Sequence, residues 1–109
     1  MNIDQLPKIE LHLHLDCSLS YAVVSEIDPS ISLETYKTKF IAPPKCENLL
    51  DYLTRAPSSY PLMQTAEHLR LVVLDLFEHL QKDNVIYAEI RFAPLLHTEG
   101  GLSPDEVVT

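Results

Sequence analysis

Polar and aliphatic side chains alternate with a period of two between Ile9 and Asp16. This period predicts a β-strand, roughly from Lys8 to Leu15, because successive side chains of a strand point to opposite faces. A strand with one aliphatic face needs helices packed against that face, so the pattern favours an α/β fold. The polar face would carry Glu10, His12, His14 and Asp16, and the aliphatic face Ile9, Leu11, Leu13 and Leu15.

Two histidines on the polar face, His12 and His14, are candidate metal ligands. Residues two apart on a strand are separated by roughly 6.6 Å, so both imidazole rings could reach one ion. Neutral imidazole is a common zinc ligand, and a carboxylate such as Asp16 could orient a ring or bind substrate. The alternative is a half-exposed strand without a metal, and the spacing alone leaves both interpretations open.

Helical and strand patterns continue along the chain. A long helix is predicted from Thr65 to Lys82 on an apolar stripe, and a second strand from Val85 to Ala93. Two strands separated by helices fit a parallel pair joined by a helical crossover. Three shorter helices are predicted over residues 20–27, 32–39 and 48–56, the last with Leu49, Leu50 and Leu53 buried.

The segment from Pro7 to Asp16 resembles the first strand of the adenosine/AMP deaminase family, which belongs to the metal-dependent amidohydrolases. The segment from Asn84 to Pro94 resembles the family's second strand, and Leu102 to Val108 the start of its next helix. The resemblance implies a (β/α)8 TIM-type barrel. Residues 1–109 would form the N-terminal segment of that single barrel, about two strands plus helices, without separate domains.

The resemblance also implies a chemistry, the zinc-dependent hydrolytic deamination of a purine nucleoside such as adenosine to inosine and ammonia. His12 and His14 would bind Zn²⁺, and Asp16 would accept a hydrogen bond from the 5′-hydroxyl of the substrate. Aspartate at this position favours a nucleoside over free adenine. In the family the other zinc ligands and the catalytic groups lie downstream, so no catalytic residue is expected in this segment and its zinc site is incomplete.

Two residues depart from the family pattern. Cys17 stands where the family usually has glycine, and Ala56 offers no ring to the aromatic lid that Tyr52 could help to form over the purine. A deaminase of adenine, of AMP or of a modified nucleoside therefore stays open. A noncatalytic module, in which His12 and His14 bridge chains through a metal, is the alternative from another functional class.

Several other polar residues have structural interpretations. Glu89 and Arg91 lie two apart on the second strand and predict an ion pair inside the barrel. His68 and His79 lie off the apolar stripe of the long helix and are predicted at the surface. His97 follows the second strand and is predicted as a surface loop histidine, with a place in an active-site loop as the alternative.

Length sets a limit on this interpretation, because a barrel of this type needs about 250 residues and the chain has 109. Ser103 and Glu106 predict a helix start close to Thr109. We therefore expect part of a longer protein that is inert alone and holds zinc weakly. Open strand edges predict self-association or pairing with a complementary C-terminal segment.

Composition narrows the partners and the compartment. The net charge of −8 opposes binding of a nucleic acid polymer but not of a small nucleoside. No run of about 20 apolar residues predicts a membrane span. The two cysteines, Cys17 and Cys46, predict reduced thiols rather than a disulfide framework, as expected for a cytoplasmic protein.

Overall fold

A computed structural model describes residues 2–109 and contains a two-stranded parallel sheet. Strand β1 spans Lys8–His14 and strand β2 spans Val85–Arg91, with Lys8 opposite Val85 at the start of the pair. The chain between them is mostly helical, so the predicted parallel pair with a helical crossover is confirmed. Each strand has one outer edge without a strand partner among the described residues.

Within residues 2–109, five α-helices accompany the sheet, and each begins where a side chain can cap it. In every case the side-chain oxygen of the preceding residue accepts a hydrogen bond from a backbone N–H in the first turn, which satisfies an otherwise unpaired donor. The predicted starts at Ser20, Ser32, Asn48, Thr65 and Ser103 are confirmed. The helices are α1 (Tyr21–Ile27), α2 (Leu33–Lys39), α3 (Leu49–Leu53), α4 (Ala66–Lys82) and α5 (Pro104–Val108).

The core forms where the stripe of α4 meets α1 and the segment that follows β1. Leu69, Val72 and Leu76 are buried, as the stripe predicts, whereas Phe77 is half-exposed. This cluster lies against the carboxyl end of β1, so it supports the end of the strand that carries the two histidines. Its buried members are Leu15, Leu19, Val23, Val24, Leu62, Met63, Leu69, Val72 and Leu76.

A buried carboxylate joins α4 to the start of α1. Asp75 accepts a hydrogen bond from the Ser20 backbone N–H at 3.2 Å and another from the Ser20 hydroxyl at 2.7 Å. The same hydroxyl accepts from the N–H of Val23 and so caps α1. A buried carboxylate is tolerated when such donors satisfy it. The long helix therefore fixes the first short helix by polar contacts as well as by packing.

The leucines of α3 correct one prediction. Leu49 and Leu50 are 70% and 74% exposed, and Leu53 is also exposed, so the predicted buried side is wrong. The helix is five residues long and is followed by a 3-10 turn, Ala56–Ser58, in which Ala56 is buried instead. In this segment the buried residue comes from the turn after the helix and not from the helix itself. The spacing of the leucines does not indicate this.

Both strands end before their predicted limits, and the ion pair predicted on β2 is wrong. Glu89 and Arg91 are exposed and do not pair with each other; Glu89 instead accepts a hydrogen bond from the Tyr87 hydroxyl at 3.0 Å. The reason is that no described element covers this face of the sheet. The aliphatic face of β1 is covered at its carboxyl end, while Ile9 and Leu11 are exposed.

The described residues were also searched for membrane spans. Within residues 2–109, no helix has both the length and the apolar character needed to cross a bilayer.

Candidate active site

The two histidine side chains of β1 converge at its carboxyl end. Nε2 of His12 and Nε2 of His14 are 3.0 Å apart, the ring centroids are 4.9 Å apart, and both residues are exposed. Two nitrogens bound to one tetrahedral zinc ion lie about 3.3 Å apart, given Zn–N bonds of about 2.0–2.1 Å. The pair therefore fits two positions of a zinc site, although residues 2–109 contain no group of three or more candidate ligands.

Asp16 lies beyond the end of the strand, in the 3-10 turn Leu15–Cys17. It does not continue the polar face of β1 as the alternation predicts, because the extended backbone stops at His14. The residue is 8% exposed, and its Oδ1 atom is buried without a hydrogen-bond partner. A buried carboxylate oxygen without a donor is unusual in a folded protein, so this oxygen is a candidate for binding a donor group.

A buried serine holds the backbone of this turn. The Ser59 hydroxyl lies 2.6 Å from the Asp16 carbonyl and 2.8 Å from the Ala56 carbonyl, and it donates to these oxygens. Ser59 is almost completely buried. Ala56 and Ser59 belong to the segment after α3. The contact therefore fixes the turn after β1 against that segment.

A cavity of about 210 Å³ lies between these two walls. Asp16 and Cys17 line one side, and aromatic rings from the helical region, including Tyr36 and Tyr52, line the other. The Tyr36 hydroxyl donates to the Leu19 carbonyl at 2.8 Å, so it is already occupied. A carboxylate beside aromatic surface suits an uncharged ring system that carries a hydroxyl group.

The cationic and lid residues of the cavity have defined positions. Arg55 lines the cavity, but its Nη1 atom lies 3.1 Å from Oδ1 of Asp51, so its charge is already paired. Tyr52 and Ala56 both line the cavity, and Tyr52 is half-exposed. The small Ala56 side chain adds no ring beside that of Tyr52.

Cys17 places a thiol on the same cavity. Partial burial, with the negative charge of Asp16 as the second cause, raises the pKa of the Cys17 thiol to about 11. The thiol therefore stays protonated and neutral at pH 7, although the residue itself is exposed. A neutral thiol is a weak nucleophile and a poor metal ligand, because both roles need the thiolate.

We expect Cys17 to react slowly with iodoacetamide in the folded protein. At pH 8, a thiol with a pKa of about 11 holds roughly 100-fold less thiolate than one at the ordinary value of 9. Alkylation should therefore keep accelerating above pH 9, which peptide mass spectrometry can follow. The same reaction in urea is the control, because unfolding removes the burial. Rapid alkylation of folded Cys17 at pH 7 would contradict the prediction.

His97 is a site-region residue that the sequence prediction placed wrongly. It ends the 3-10 turn Pro94–His97 after β2 and is 0% exposed, rather than lying on the surface. Its ring lies 6.0 Å from that of Phe92 and 6.3 Å from that of Tyr60. A histidine next to two leucines resembles an ordinary loop residue, and in this turn the leucines face solvent while the imidazole is buried.

Comparison of the sequence with known proteins identifies a family for this chain. The family profile described as "Adenosine deaminase" matches residues 7–109, nearly the whole chain. The chain belongs to the adenosine deaminase family. Membership confirms the resemblance carried by both strands.

Curated adenosine deaminases from three bacteria are similar to this member of the family. The protein from Clostridium perfringens is 44% identical over 115 residues, that from Shewanella halifaxensis 42% and that from Vibrio vulnificus 40%. Each alignment covers 99% of this chain and 35% of the relative. The chain thus spans about a third of the length of these adenosine deaminases. The comparison with solved structures found no match.

Proposed function

We propose that this chain is the N-terminal segment of an adenosine deaminase, in which water replaces the 6-amino group of the purine and ammonia leaves. The observation that carries the proposal is the buried Asp16 carboxylate. It lines an aromatic cavity immediately after a strand whose two histidines converge to 3.0 Å. Family membership supports assigning hydrolytic deamination to this arrangement.

His12 and His14 would hold zinc through their Nε2 atoms. When bound, zinc supplies a Lewis acid that activates water near neutral pH. Both rings are exposed, so they can be reached by an ion and by further ligands. Three protein ligands are the usual minimum for such a site. The missing ligands would come from the part of the family fold that this chain does not span.

Asp16 would bind the sugar of the substrate. A hydroxyl group can donate a hydrogen bond to a carboxylate, whereas a phosphate at the same position would be repelled by its charge. Arg55 offers little compensation, because Asp51 already pairs with it. We therefore expect adenosine to be preferred to AMP, and, from the resemblance at Asp16, also to free adenine.

Residues 1–109 would be the N-terminal segment of a single (β/α)8 barrel, and the two-stranded sheet would be its first quarter. The open strand edges and the exposed Ile9, Leu11 and Ile86 support this proposal, because later strands and helices would cover them. The isolated chain should be inactive and should self-associate or bind a complementary C-terminal segment. We propose that the enzyme is soluble and cytoplasmic.

A chimaera tests the proposed function. Residues 1–109 would replace the matched segment of the Clostridium perfringens relative, which is 44% identical to them. We expect the zinc-loaded chimaera to release ammonia from adenosine faster than from adenine or AMP, and the 109-residue chain alone to release none. Ammonia release and the spectral change from adenosine to inosine are the readouts.

Two outcomes would contradict the proposal. One is a folded, zinc-loaded chimaera that is inactive on all three substrates while the parent relative is active. The other, deamination by the isolated 109-residue chain, would overturn the expected inactivity of the segment. Circular dichroism and native mass spectrometry of the chimaera provide the folding and metal controls.

The exposure of both histidines also favours a second candidate, a metal-dependent assembly module. Two imidazole nitrogens 3.0 Å apart on an exposed face could share an ion with the same pair on another chain. This candidate requires dimers that form with zinc and disappear in His12→Ala. Sedimentation that is unchanged by zinc would reject it.

A further inference from the structure

Three buried side-chain atoms lack hydrogen-bond partners within the described residues 2–109. They are Oδ1 of Asp16 and both ring nitrogens of His97. The two residues come from different strands, since Asp16 follows β1 and His97 follows β2. Nearly all buried polar atoms in folded proteins have a partner, often an ordered water. Unpaired atoms on two buried residues of the same region point to a partner shared between them.

Contacts place the carboxylate and the imidazole in one neighbourhood, because the Ser59 hydroxyl donates to the Asp16 carbonyl and the ring of the next residue, Tyr60, meets the His97 ring. Burial lowers the pKa of His97, while the adjacent Met63 backbone and then the charge of Asp16 act in the opposite direction. Burial raises the pKa of Tyr60, and the charge of Asp16 is the next cause. The Tyr60 ring also meets the His97 ring edge-on, with centroids 6.3 Å apart. Asp16 therefore acts on both rings of this contact.

A glutamine fixes the loop that carries His97. Nε2 of Gln64 donates to the carbonyl oxygens of Tyr60 and Leu96, each at 2.8 Å, and its Oε1 accepts from the Glu99 N–H at 2.8 Å. A Cβ atom at Gly100 would lie 2.5 Å from the Gln64 carbonyl oxygen, so the loop approaches this segment too closely for a side chain there. His97 is thus held in place from both sides of its turn.

We propose that His97 is a positioning residue for Asp16, and that one buried water joins them by donating hydrogen bonds to Oδ1 of Asp16 and to a ring nitrogen of His97. A neutral imidazole has one acceptor nitrogen and one N–H. The acceptor nitrogen takes the water. His97 is fully buried, so it acts through Asp16 and does not touch a ligand in the cavity.

This inference rests on the proposed function for its consequence, the orientation of the Asp16 carboxylate towards a substrate hydroxyl. With Oδ1 held from inside the protein, the remaining oxygen is oriented to accept from the cavity side. Loss of the imidazole would leave the carboxylate free to rotate. Binding of substrates that carry the hydroxyl should then weaken, while substrates that lack it should be unaffected.

Nuclear magnetic resonance of the chimaera, with its histidine rings labelled with ¹⁵N, tests the water bridge without any activity. We expect His97 to show one neutral tautomer, an Overhauser contact from its ring protons to a long-lived water, and shifted ring ¹⁵N signals in Asp16→Asn. His79 is the matched control, because its Nδ1 lies 2.7 Å from the Asp75 carbonyl and it is exposed. If the ring ¹⁵N chemical shifts of His97 do not change in Asp16→Asn, the bridge is overturned.

Substrate pairs test the positioning role in the chimaera. We expect His97→Phe to raise KM for adenosine by up to about 10-fold, the effect of losing one hydrogen bond, with KM for 5′-deoxyadenosine unchanged. His97→Gln, which keeps a donor and an acceptor, should restore part of the loss. Equal effects on both substrates, or no rescue, would overturn the role. An inactive chimaera in which the water bridge is present would contradict the proposed function but support the bridge.

Discussion

His12→Ala and His14→Ala in the chimaera should each lower kcat/KM for adenosine by more than about 100-fold, because loss of an outer-shell partner already costs 10–100-fold. Each histidine would supply one of the few protein ligands of the zinc ion. Their Nε2 atoms lie 3.0 Å apart, so removing one leaves the other without its converging partner. Zinc content per chain, measured by elemental analysis, should fall with the activity.

His68→Ala is the matched control for these substitutions. His68 lies on α4, its backbone N–H donates to the Thr65 cap, and its imidazole makes no hydrogen bond within the described residues. Activity and zinc content should stay within about twofold of the unsubstituted chimaera. If the chimaera kept its full zinc content and full activity after both His12 and His14 were replaced by alanine, they would be excluded as ligands.

Met63→Ala should produce the largest loss of folding stability, about 2–5 kcal/mol, the range for truncating a fully buried Met, Leu or Ile. Met63 is 0% exposed and is the largest completely buried side chain in the described core. Removing its thioether leaves a cavity in the buried core cluster. For a domain of about this size the melting temperature should fall by at least about 8 °C, which thermal unfolding followed by circular dichroism would measure.

Leu50→Ala provides the comparison for Met63→Ala. Leu50 is 74% exposed on α3, so its truncation removes little buried surface, and the change should stay within about 0.5 kcal/mol. A large loss at Leu50 would mean that the leucine side of α3 is covered in solution. An unchanged stability in Met63→Ala would mean that the core collapses to fill the space or is packed differently.

Local signals in the sequence predicted the elements well, because their causes are local. Ser20, Ser32, Asn48, Thr65 and Ser103 each cap the helix that their sequence context predicts. Capping depends on a few consecutive residues, so it can be predicted without knowledge of the fold. The same is true of the alternation that set His12 and His14 on one face of β1.

The predictions failed where the answer depends on residues far apart in the chain. His97 is buried because Gln64, more than 30 residues earlier, binds its loop. The burial of Asp75, which no sequence pattern predicts, depends on Ser20 at the start of another helix, because Ser20 supplies two donors to it. Neither pairing leaves a mark near the histidine or the aspartate in sequence. The resemblance assigned Asp16 to the site, but its turn and the Ser59 contact required coordinates.

The pairing of β1 with β2 also sets an order of events during folding. Lys8 meets Val85 only after a loop of more than 70 residues has closed, and closure of such a loop costs roughly 4 kcal/mol of chain entropy. Contacts between distant residues form slowly, whereas capped helices form from neighbours. On a ribosome, β1 would emerge first and wait unpaired until β2 follows. The strand that presents both histidines is therefore made first and completed late.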